Sequence, residues 1–551
     1  MGSMKSQKEQ LLYLIHSLIY DCNQICGTDA HSLRDISTTI SRVSHEGESF
    51  LTITLPDFCS DFERSLELGR IDHSLFRSFR KNGAIPVFLQ GMLRLVFTLG
   101  GDLLEQPSVD AIRCIRQICL FAKKIKLPCS DARVAKAKQK YIQTEEQLQI
   151  HSTPDRLGKL ISVFEILFRG LETVIIDPER SRHGPGTSAE RVQSPNRKTR
   201  TMRWTDSLDR VFSFSEFVMP FMAYYSDNDF DVVCDTPIPS RVICVPKTLK
   251  TPRIIAAEPL SYQYCQQAVK ACLTDWLERD WQFAGQINFS DQTINQQLAI
   301  TSSKTGLFAT IDLSDASDRV SYSYVRSCFS SFPIWEYIDA CRTLRADLDG
   351  KIISLSKFAS MGSALCFPVE SMFFYALCVL AQLEAHDTPI TAKSVRKHAR
   401  TCFAYGDDLI VPSATVPVVI RILEEFFLKV NTRKSFVKGK FRESCGQDAY
   451  DGMSVKPTYL RELPPNNYSD ASALSSFVST ARQLDNSGYL QTAIVAYSIV
   501  CDLIGWLPVS SDETPVLGIS STGMCQYLFP SLTRKRWDTN LCRLMVSGYT
   551  I

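Results

Sequence analysis

The chain has 551 residues and a formal net charge of only +2. Hydrophobic residues make up 44% of it and charged residues 22%, which indicates a globular protein with a large buried core. The near-neutral balance excludes nucleic-acid binding through a global excess of positive charge, so such a surface would need local clustering of Lys and Arg. The length allows about three or four domain-sized units or one large multi-lobed protein.

The 19 cysteines lack the paired Cys-x-x-Cys spacing of a zinc site, so we expect reduced, mostly buried thiols of a cytosolic protein. The strongest apolar stretches are Met372–Leu383, which is too short to cross a bilayer, and Ala493–Leu507, which Asp502 and Gly505 interrupt. We predict two buried helices there and no membrane span. No signal peptide pattern is visible, and Met1–Met4 resembles a cloning scar and start.

Residues 5–170 are predicted to be largely helical, because apolar residues recur at helical spacing in Leu11–Ile19, Val96–Leu104 and Ala111–Ile125. Residues 177–205 are rich in Pro, Gly, Ser and Arg without an apolar period, which predicts a long basic loop. A loop of this length inside a folded chain is usually functional or disordered. Its candidate contacts to a nucleic-acid backbone are Arg180, Arg182, His183, Arg197, Lys198 and Arg200.

The middle of the chain alternates between extended and helical patterns. Two extended segments, Ser240–Pro246 and Pro252–Ala257, precede a strand at 307–312 and a helix from about Asp318. A loop of small residues follows at 360–364.

A long helix comes next, with Pro368 near its first turn, where proline is tolerated. It leads to a hairpin at 403–411 and a helix over Pro417–Val430. Residues 434–460 alternate like strands, and the chain is predicted to be mostly helical from about 465.

The most informative segment is the predicted hairpin, whose turn Tyr405–Asp408 carries two adjacent carboxylates. Adjacent acids are common in turns for conformational reasons alone. Here the strand at 307–312 ends in a third acid, and its pairing beside the hairpin would bring Asp312, Asp407 and Asp408 together. Three carboxylates repel each other unless cations neutralise them, so we predict two Mg²⁺ ions about 3.5–4 Å apart, with Mn²⁺ as an alternative.

Such a metal pair catalyses phosphoryl transfer, and a nucleoside triphosphate substrate also needs cationic side chains. The segment 241–253 supplies them on a stretch that two prolines stiffen, although a surface hairpin with solvated cations would look the same. The predicted triphosphate-binding residues are Arg241, Lys247, Lys250 and Arg253. The predicted ribose pocket contains Asp318, Gly362 and Ser363.

The order of these features is that of a right-hand nucleotide polymerase. The longer motifs resemble the replicase subunit of the levivirus family, the single-stranded RNA bacteriophages. The resemblance covers most of residues 57–460 and rests on Arg182–Thr187, Val245–Pro259, Ile287–Gln296, Asp312–Ser321, Ser360–Gly362, Glu370–Met372, Tyr405–Asp408 and Phe441–Gly446.

The resemblance implies an RNA-dependent RNA polymerase that replicates and transcribes a viral genome from nucleoside triphosphates and releases pyrophosphate. It implies RNA template and product as ligands, and translation elongation factors Tu and Ts with an RNA-binding ribosomal protein as host partners, in the cytoplasm of the infected bacterium. The expected α+β right hand has helix-rich fingers over 5–300 with an insertion at 331–359, an antiparallel-sheet palm over 301–330 and 360–462, and a helical thumb over 463–551.

Two positions depart from the expected pattern or complicate it. The family usually has Gly-Asn-Gly in the small-residue loop, and here the sequence is Gly362-Ser363-Ala364. The shorter Ser363 therefore leaves open what contacts the ribose or the template. Asp315 lies inside Asp312–Ser321, which resembles the family's first catalytic motif, and could be mistaken for a metal ligand. We expect it to be solvated or to cap the following helix.

Two other functions compete with this interpretation. A reverse transcriptase also uses a Tyr-x-Asp-Asp hairpin, but an enzyme that excludes the ribose 2′-OH places a bulky aromatic residue shortly after the first catalytic Asp. Residues Leu313–Ser317 contain no aromatic residue, and Asp318 offers an acceptor for the 2′-OH. A catalytically inactive RNA-binding protein is disfavoured because Asp312, Asp407 and Asp408 are all present.

Overall fold

The computed structural model describes residues 6–192, 198, 202–218, 237–283, 285–511, 514–529 and 535–550. Two of the predicted RNA contacts, Arg197 and Arg200, lie outside these residues. The chain divides into two compact units. The first unit comprises Met1–Ser130, Pro246–Thr251 and Met453–Ile551, and the second comprises Asp131–Val245 and Pro252–Gly452.

The first unit is mainly helical. Its helices in the described residues are Gln7–Cys26, Ser32–Glu46, Leu55–Leu68, Gln90–Leu93, Val109–Leu120, Ala471–Asn486, Leu490–Ile504 and Cys525–Leu528, with a 3₁₀ turn at Asp29–His31 and a π-helical turn at Phe50–Thr54. Its short strands are Lys81–Asn82, Ile85–Pro86, Met453–Ser454, Val509–Ser510, Ile519–Ser520, Lys535–Asp538 and Arg543–Val546.

Side chains from the N-terminal helices hold the C-terminal segment in this first unit. Asp21 accepts hydrogen bonds from the backbone N–H groups of Gln491 and Thr492, at 3.0 and 2.8 Å, and so caps the helix Leu490–Ile504. Gln117 exchanges two hydrogen bonds with the backbone of Thr458, at 2.9 and 2.8 Å. Asp21, Gln117, Thr458 and Thr492 are buried, so these contacts satisfy polar groups that would otherwise be left unpaired.

The second unit combines helices with several small sheets. Its helices in the described residues are Asp131–Gln149, Leu157–Leu167, Asp206–Asp209, Phe214–Phe217, Leu260–Arg279, Thr293–Thr305, Tyr322–Phe329, Ile334–Ala340, Cys366–Ala385, Ala392–Ala399 and Val416–Glu425. Its 3₁₀ turns are Arg169–Thr173, Pro178–Arg180, Trp281–Phe283, Ser317–Arg319 and Ser413–Thr415.

The sheets of the second unit are mostly antiparallel. A three-stranded sheet has the order Phe308–Ile311, Asp408–Pro412, Phe403–Tyr405. A four-stranded sheet has the order Arg253–Ala257, Ser240–Val245, Arg345–Leu348, Lys351–Ser354, with only its central pair parallel. Two further antiparallel pairs join Leu313–Ser314 to Lys429–Val430 and Phe441–Ser444 to Gln447–Tyr450.

The helix Cys366–Ala385 forms the centre of the core of the second unit, and almost every residue from Pro368 to Leu383 is buried. Of the helices that the structure describes, this one alone is long and apolar enough to cross a membrane, and 94% of its apolar window is buried inside the protein. Such burial is typical of a core helix, as the sequence predicted. Helix Leu490–Ile504, the second predicted buried helix, is also present.

The prediction of a helical N-terminal region is confirmed for most of its length but is wrong at Val96–Leu104. This segment turns back on itself, and Phe97 bridges Leu103 in antiparallel fashion. The reversal occurs at Gly100 and Gly101, and Gly101 has a φ of +91°, a value that favours glycine. The apolar spacing therefore reflects burial on both sides of a turn.

Two helices in the second unit also differ from the prediction. No long helix starts at Asp318, which lies in a single 3₁₀ turn, and the α-helix begins only at Tyr322. Val320 is extended between them because its carbonyl oxygen accepts the N–H of Phe358. The helix predicted over Pro417–Val430 ends at Glu425, since Lys429–Val430 forms a strand instead.

The C-terminal prediction is partly wrong. Two helices follow residue 465 as expected, but beyond Ile504 the described residues form short strand pairs and one four-residue helix. Strand Val509–Ser510 lies so close to the following segment that a Cβ on Gly518 would come within 2.3 Å of the Ser510 hydroxyl. Gly518 therefore leaves room for two chain segments to approach closely, which a residue with a side chain would not.

Candidate active site

Antiparallel pairing of the three-stranded sheet brings the predicted acids to one end. Leu409 stands opposite Ile311, and Ile410 opposite Thr310. Asp312 follows Ile311 and Asp408 precedes Leu409, so the two acids lie across from each other one step beyond this register. Asp407 is exposed in the adjoining turn. We call Asp312, Asp407 and Asp408 the carboxylate cluster.

Asp312 is fixed by neighbouring donors. Its carboxylate Oδ2 accepts a 2.7 Å hydrogen bond from the side-chain amide of Asn431, and its backbone N–H donates to the Ser435 hydroxyl at 3.2 Å. Burial raises the pKa of Asp312 to about 6, against the opposing attraction of Lys434 and with a further increase from the charge of Asp407. The Asp312 carboxylate is therefore fixed in orientation and lies beside other negatively charged groups.

Asp408 has a similar environment. Its Oδ2 accepts the backbone N–H of Cys445 at 3.1 Å. Burial raises its pKa to about 7, and the charges of Asp407, Glu443 and Asp312 raise it further. Since each acid makes ionisation of its neighbour more costly, the cluster concentrates negative charge that a cation would relieve.

Two charged residues beside the cluster were missed from the sequence. Lys434 lies 4.0 Å from Glu443, and the carboxylates of Glu443, Asp312, Asp408 and Asp407 outweigh burial and raise the pKa of Lys434. Glu443 lies within the motif Phe441–Gly446. Neighbouring side chains of a strand point to opposite faces, so Glu443 faces away from the fully buried Arg442, and this alternation could have identified it. No sequence signal marks Lys434.

The cluster does not amount to a formed metal site by geometry alone. Among the residues that the structure describes, no group of three or more His, Cys, Asp or Glu side chains has the arrangement that could hold a metal ion. The chemistry of the donor set nevertheless fits a hard divalent cation, because it consists of carboxylate oxygens that outnumber the neighbouring cation Lys434.

The tight turn before Asp407 depends on Gly406. Its φ is +62°, and a Cβ there would come within 2.4 Å of the Phe367 ring. Its N–H donates to the buried Ser371 hydroxyl at 3.1 Å, which ties the turn to the core helix Cys366–Ala385. The hairpin prediction is confirmed, and glycine is required at this position for both conformation and space.

The small-residue loop at 360–364 also requires a glycine, for reasons of conformation and space. Gly362 has a φ of +130°, and a Cβ there would come within 2.0 Å of the Ala256 carbonyl oxygen. The loop is held to this strand because the Ala256 N–H donates to Met361 O at 2.8 Å. Ser363 uses its hydroxyl to accept the N–H of Leu365 at 3.3 Å, so its side chain supports the turn locally.

The two remaining acids of the first motif have different surroundings. Asp318 accepts a 2.7 Å hydrogen bond from the buried ammonium group of Lys357. Asp315 has a φ of +53° and pairs with Lys140 at 2.5 Å. The Asp315 side chain does not cap the next helix, because it pairs with Lys140 instead; it is 30% exposed, so the expectation that it would be solvated is confirmed in part.

The predicted triphosphate-binding residues fall in both units. Lys247 and Lys250 belong to the first unit, where the Lys250 ammonium group lies 2.9 Å from Asp57. Arg241 and Arg253 belong to the second unit and lie on paired strands, with Arg253 exposed. Arg241 donates to the Ser188 carbonyl at 3.3 Å, which joins its strand to the basic loop.

The basic loop uses part of its charge internally. Lys198 is fully buried and donates to the carbonyl oxygens of Gly184 and Gly186, at 2.5 and 2.8 Å. Burial, with a contribution from Lys198, lowers the pKa of His183 to about 4, so this ring is neutral at pH 7. Arg180 contacts Asp275 at 2.5 Å, and Arg182 is exposed. Lys198 and His183 therefore have structural roles inside the loop. RNA binding by the loop stays a prediction.

The segment that contains this site is similar to a known protein family. Residues 215–469 match the family model described as RNA replicase, beta-chain. This segment contains the carboxylate cluster, both glycine loops and the strands that position them. The resemblance to the RNA bacteriophage replicase subunits is therefore confirmed over this segment.

The curated relatives are named polymerases. The chain is 38% identical over 225 residues to the RNA-directed RNA polymerase beta chain of Escherichia phage MS2, covering 41% of this chain and 38% of that protein. It is 34% identical over 247 residues to the RNA-directed RNA polymerase subunit beta of Escherichia virus Qbeta, covering 44% and 38%. The matched part therefore spans well under half of each relative.

Among solved structures, the RNA-dependent RNA polymerase of a human picobirnavirus is similar with a TM-score of 0.44 and 12% identity. That similarity covers 67% of this chain and 73% of the other.

Proposed function

We propose that this chain is an RNA-directed RNA polymerase that transfers nucleotides from ribonucleoside triphosphates to RNA and releases pyrophosphate. One observation supports the proposal most: the sheet register sets Asp312 beside Asp407 and Asp408 within the segment that matches the replicase family. Phosphoryl transfer depends on positioning and electrostatic stabilisation, and a rigid sheet end with clustered carboxylates is suited to both.

The carboxylate cluster would hold the divalent ions. The raised pKa values of Asp312 and Asp408 reflect burial and mutual repulsion, which a bound cation would offset. Bound Mg²⁺ or Mn²⁺ would lower the pKa of the attacking hydroxyl and stabilise charge on the leaving group. The chain's own contribution is positional, since Asn431 and the Cys445 N–H each hold one carboxylate oxygen in place.

We further propose a right-hand arrangement. The three-stranded sheet of Phe308–Ile311, Asp408–Pro412 and Phe403–Tyr405, backed by the helix Cys366–Ala385, would form the palm. The basic finger at 241–253 and the helices before it would belong to the fingers, and the helices after residue 463 to the thumb.

Substrate contacts follow from the exposed groups of the second unit. Arg253 is an exposed cation at the start of its strand and would contact the triphosphate together with Arg241. Asp318 would accept a hydrogen bond from the ribose 2′-OH, with the Gly362–Ser363 loop beside the sugar. Lys247 and Lys250 are proposed to assist at the phosphates.

The basic loop is proposed to contact the RNA backbone, chiefly through the exposed Arg182. Arg182→Ala should then reduce the salt dependence of RNA binding, because each lost phosphate contact removes about 0.7–0.9 from the log–log slope. Filter binding across a salt series measures this slope. An unchanged slope would leave Arg182 as a solvated surface residue.

Elongation factors Tu and Ts and a ribosomal protein remain proposed host partners on the strength of the family resemblance alone.

The decisive experiment is nucleotide incorporation on an RNA template with Mg²⁺, with host factors supplied in parallel reactions. Asp312→Asn and Asp407→Asn should each lower incorporation by several orders of magnitude while RNA binding persists, because charge and positioning provide nearly all of this catalysis. Asp315→Asn is the matched control, since its carboxylate pairs with Lys140 outside the cluster. Near-parental incorporation by either cluster variant would refute the assignment.

A reverse transcriptase remains the alternative that the same assay can test. Incorporation of deoxyribonucleotides at an efficiency equal to or above that of ribonucleotides would favour it. RNA binding with no incorporation under any of these conditions would favour an RNA-binding protein without catalytic activity.

A further inference from the structure

Lys357 is a cation buried inside the second unit. Its side chain is fully buried, and its Nζ lies 2.7 Å from Asp318 Oδ1 and 3.1 Å from Glu145 Oε1. The same Nζ lies 3.6 Å from the centre of the Tyr141 ring. Glu145 and Tyr141 come from the helix Asp131–Gln149, while Asp318 comes from the first catalytic motif, so one ammonium group joins two distant segments.

Lys357 remains charged in this environment. Burial by itself lowers the pKa of a lysine, but the Asp318 and Glu145 carboxylates outweigh burial and raise the pKa of Lys357. A buried ammonium group is tolerated only when it is paired and hydrogen-bonded. Two carboxylates and the face of an aromatic ring stabilise the positive charge of Lys357 in place of water.

The backbone around Lys357 is tied to the same motif. Phe358 N–H donates to Val320 O at 2.7 Å, and Lys357 bridges Ser321 in antiparallel fashion. On the other side, Glu145 Oε2 accepts the Ser356 N–H at 2.7 Å. The Lys357 ammonium group is therefore held at a fixed distance from the turn that carries Asp318.

This arrangement divides the two oxygens of Asp318. Oδ1 is engaged by Lys357, whereas Oδ2 makes no hydrogen bond to any residue that the structure describes. The Asp318 side chain is 25% exposed, so the carboxylate is partly open to solvent. A carboxylate whose rotamer is fixed through one oxygen presents the other as a directed acceptor.

We propose that Lys357 is a positioning residue that sets the preference for ribonucleotides by orienting the Asp318 carboxylate. The inference rests on the proposed polymerase function and on Asp318 as the group that meets the ribose 2′-OH. Lys357 itself touches no substrate. Its effect reaches the sugar only through Asp318, because a charged acceptor in a fixed orientation discriminates a hydroxyl from a hydrogen more strongly than a mobile one.

A purely structural ion pair would behave differently. Removing it would lower stability and slow incorporation of ribonucleotides and deoxyribonucleotides alike. A positioning residue changes the ratio of the two efficiencies, because only the ribonucleotide makes the lost hydrogen bond. The ratio of kcat/KM for a ribonucleotide to that for its deoxy counterpart is therefore the informative measurement.

The experiment compares the full-length chain with Lys357→Met and Lys357→Arg on one RNA template. Lys357→Met should lower the ribo-to-deoxy ratio at least tenfold, chiefly through the ribonucleotide. Lys357→Arg keeps the charge but changes the geometry and should lower the ratio less. If Lys357→Met does not fold, Lys357→Arg still tests the inference, with a threefold or larger decrease expected and an unchanged ratio refuting it.

Two further variants isolate the path through Asp318. In an Asp318→Ala background, adding Lys357→Met should leave the ratio unchanged, because the group it orients is already absent. Lys159→Met is the matched control: it removes a paired lysine of the same unit whose partner is Glu384 and not Asp318, and it should keep the parental ratio. A ratio that falls further in the double variant, or stays within twofold of the parent in Lys357→Met, overturns the inference.

Failure of this inference can be told apart from failure of the proposed function. A parent chain that incorporates ribonucleotides while Lys357→Met keeps its ratio refutes only the role of Lys357. A parent chain that incorporates no nucleotide on any template refutes the polymerase assignment and the inference with it.

Discussion

Asn431 holds Asp312 at two points: its side-chain amide donates to Asp312 Oδ2 at 2.7 Å, and its backbone N–H donates to Asp312 O at 2.9 Å. The first contact fixes the carboxylate and the second fixes the end of its strand. Asn431 is thus the immediate support of the acid that we assign to catalysis, although it lies 119 residues further along the chain.

Asn431→Ala should lower the rate of nucleotide incorporation about 10–100-fold, because partners that orient a ligating carboxylate typically have effects of this size. Asn431→Asp should lower it further, since a fourth carboxylate would face Asp312 directly. Single-nucleotide incorporation under saturating substrate measures both. A parental rate in Asn431→Ala would show that the strand alone orients Asp312.

Gly406→Ala should displace the turn that carries Asp407. The substitution places a methyl group against the Phe367 ring in a backbone conformation that costs about 1–2 kcal/mol for a residue with a Cβ. A shift of about 1 Å at the carboxylate can reduce the rate on the order of 100-fold.

Adding Phe367→Leu to Gly406→Ala should restore part of the rate, because the smaller side chain removes the steric conflict and leaves only the backbone cost. The incorporation rates of the two single variants and the double variant form the test. If the double variant is no faster than Gly406→Ala, the ring contact is not the cause of the loss.

Glu258→Gln should stabilise the protein at pH 8 relative to the parent but not at pH 4.5. Glu258 is buried, and burial raises its pKa to about 7, although Thr343 and Gln266 donate hydrogen bonds to it. The raised folded-state pKa means that stability is lost as the pH rises from the unfolded value of 4.5 to about 7. Glutamine carries no charge and avoids this loss.

Thermal unfolding across pH 4.5–8 measures the effect of Glu258→Gln. The melting-temperature difference between variant and parent should increase in the variant's favour with pH. Glu336→Gln, at an exposed position in the same unit, serves as the control and should show no such trend. A pH-independent difference would mean that Glu258 is not the titrating group.

Asp21→Ala should lower the free energy of unfolding by about 1–3 kcal/mol, because it leaves the buried N–H of Thr492 without an acceptor and removes the hydrogen bond to the Gln491 N–H. Asp29→Ala removes an exposed acid from the turn that follows Gln7–Cys26, the helix that carries Asp21, and should change the free energy of unfolding little. Chemical denaturation of both variants tests the prediction. Equal stabilities would show that the cap on the helix Leu490–Ile504 contributes nothing measurable.

Arg253→Ala should raise the apparent nucleotide KM about tenfold or more, with little change in RNA affinity, since a charge-assisted hydrogen bond to phosphate is lost. Arg279→Ala is the control, because Arg279 is an exposed arginine of the same unit with 79% of its side chain accessible. Nucleotide titration combined with RNA binding separates the two properties. A change in RNA affinity alone would reassign Arg253 to the template.

Local patterns along the chain predicted the hairpin, the strand that ends in Asp312 and the buried helix near residue 372. They succeeded because these features depend on neighbouring residues: alternation of apolar side chains, a glycine at positive φ and a long apolar run. The same logic failed at Val96–Leu104, where helical spacing of apolar residues coincides with a turn at Gly100 and Gly101. Spacing reports burial, and a turn can bury the same positions as a helix.

The sequence by itself predicted which acids would lie together, because Asp312 ends an apolar strand and Asp407 and Asp408 follow a glycine. Only the tertiary structure decided what surrounds them. Lys434 and Asn431 reach Asp312 because strand Lys429–Val430 pairs with Leu313–Ser314, and Lys357 reaches Asp318 from a segment 39 residues away. Such contacts are set by strand register and by the packing of distant elements, and neither leaves a periodic trace in the order of the residues.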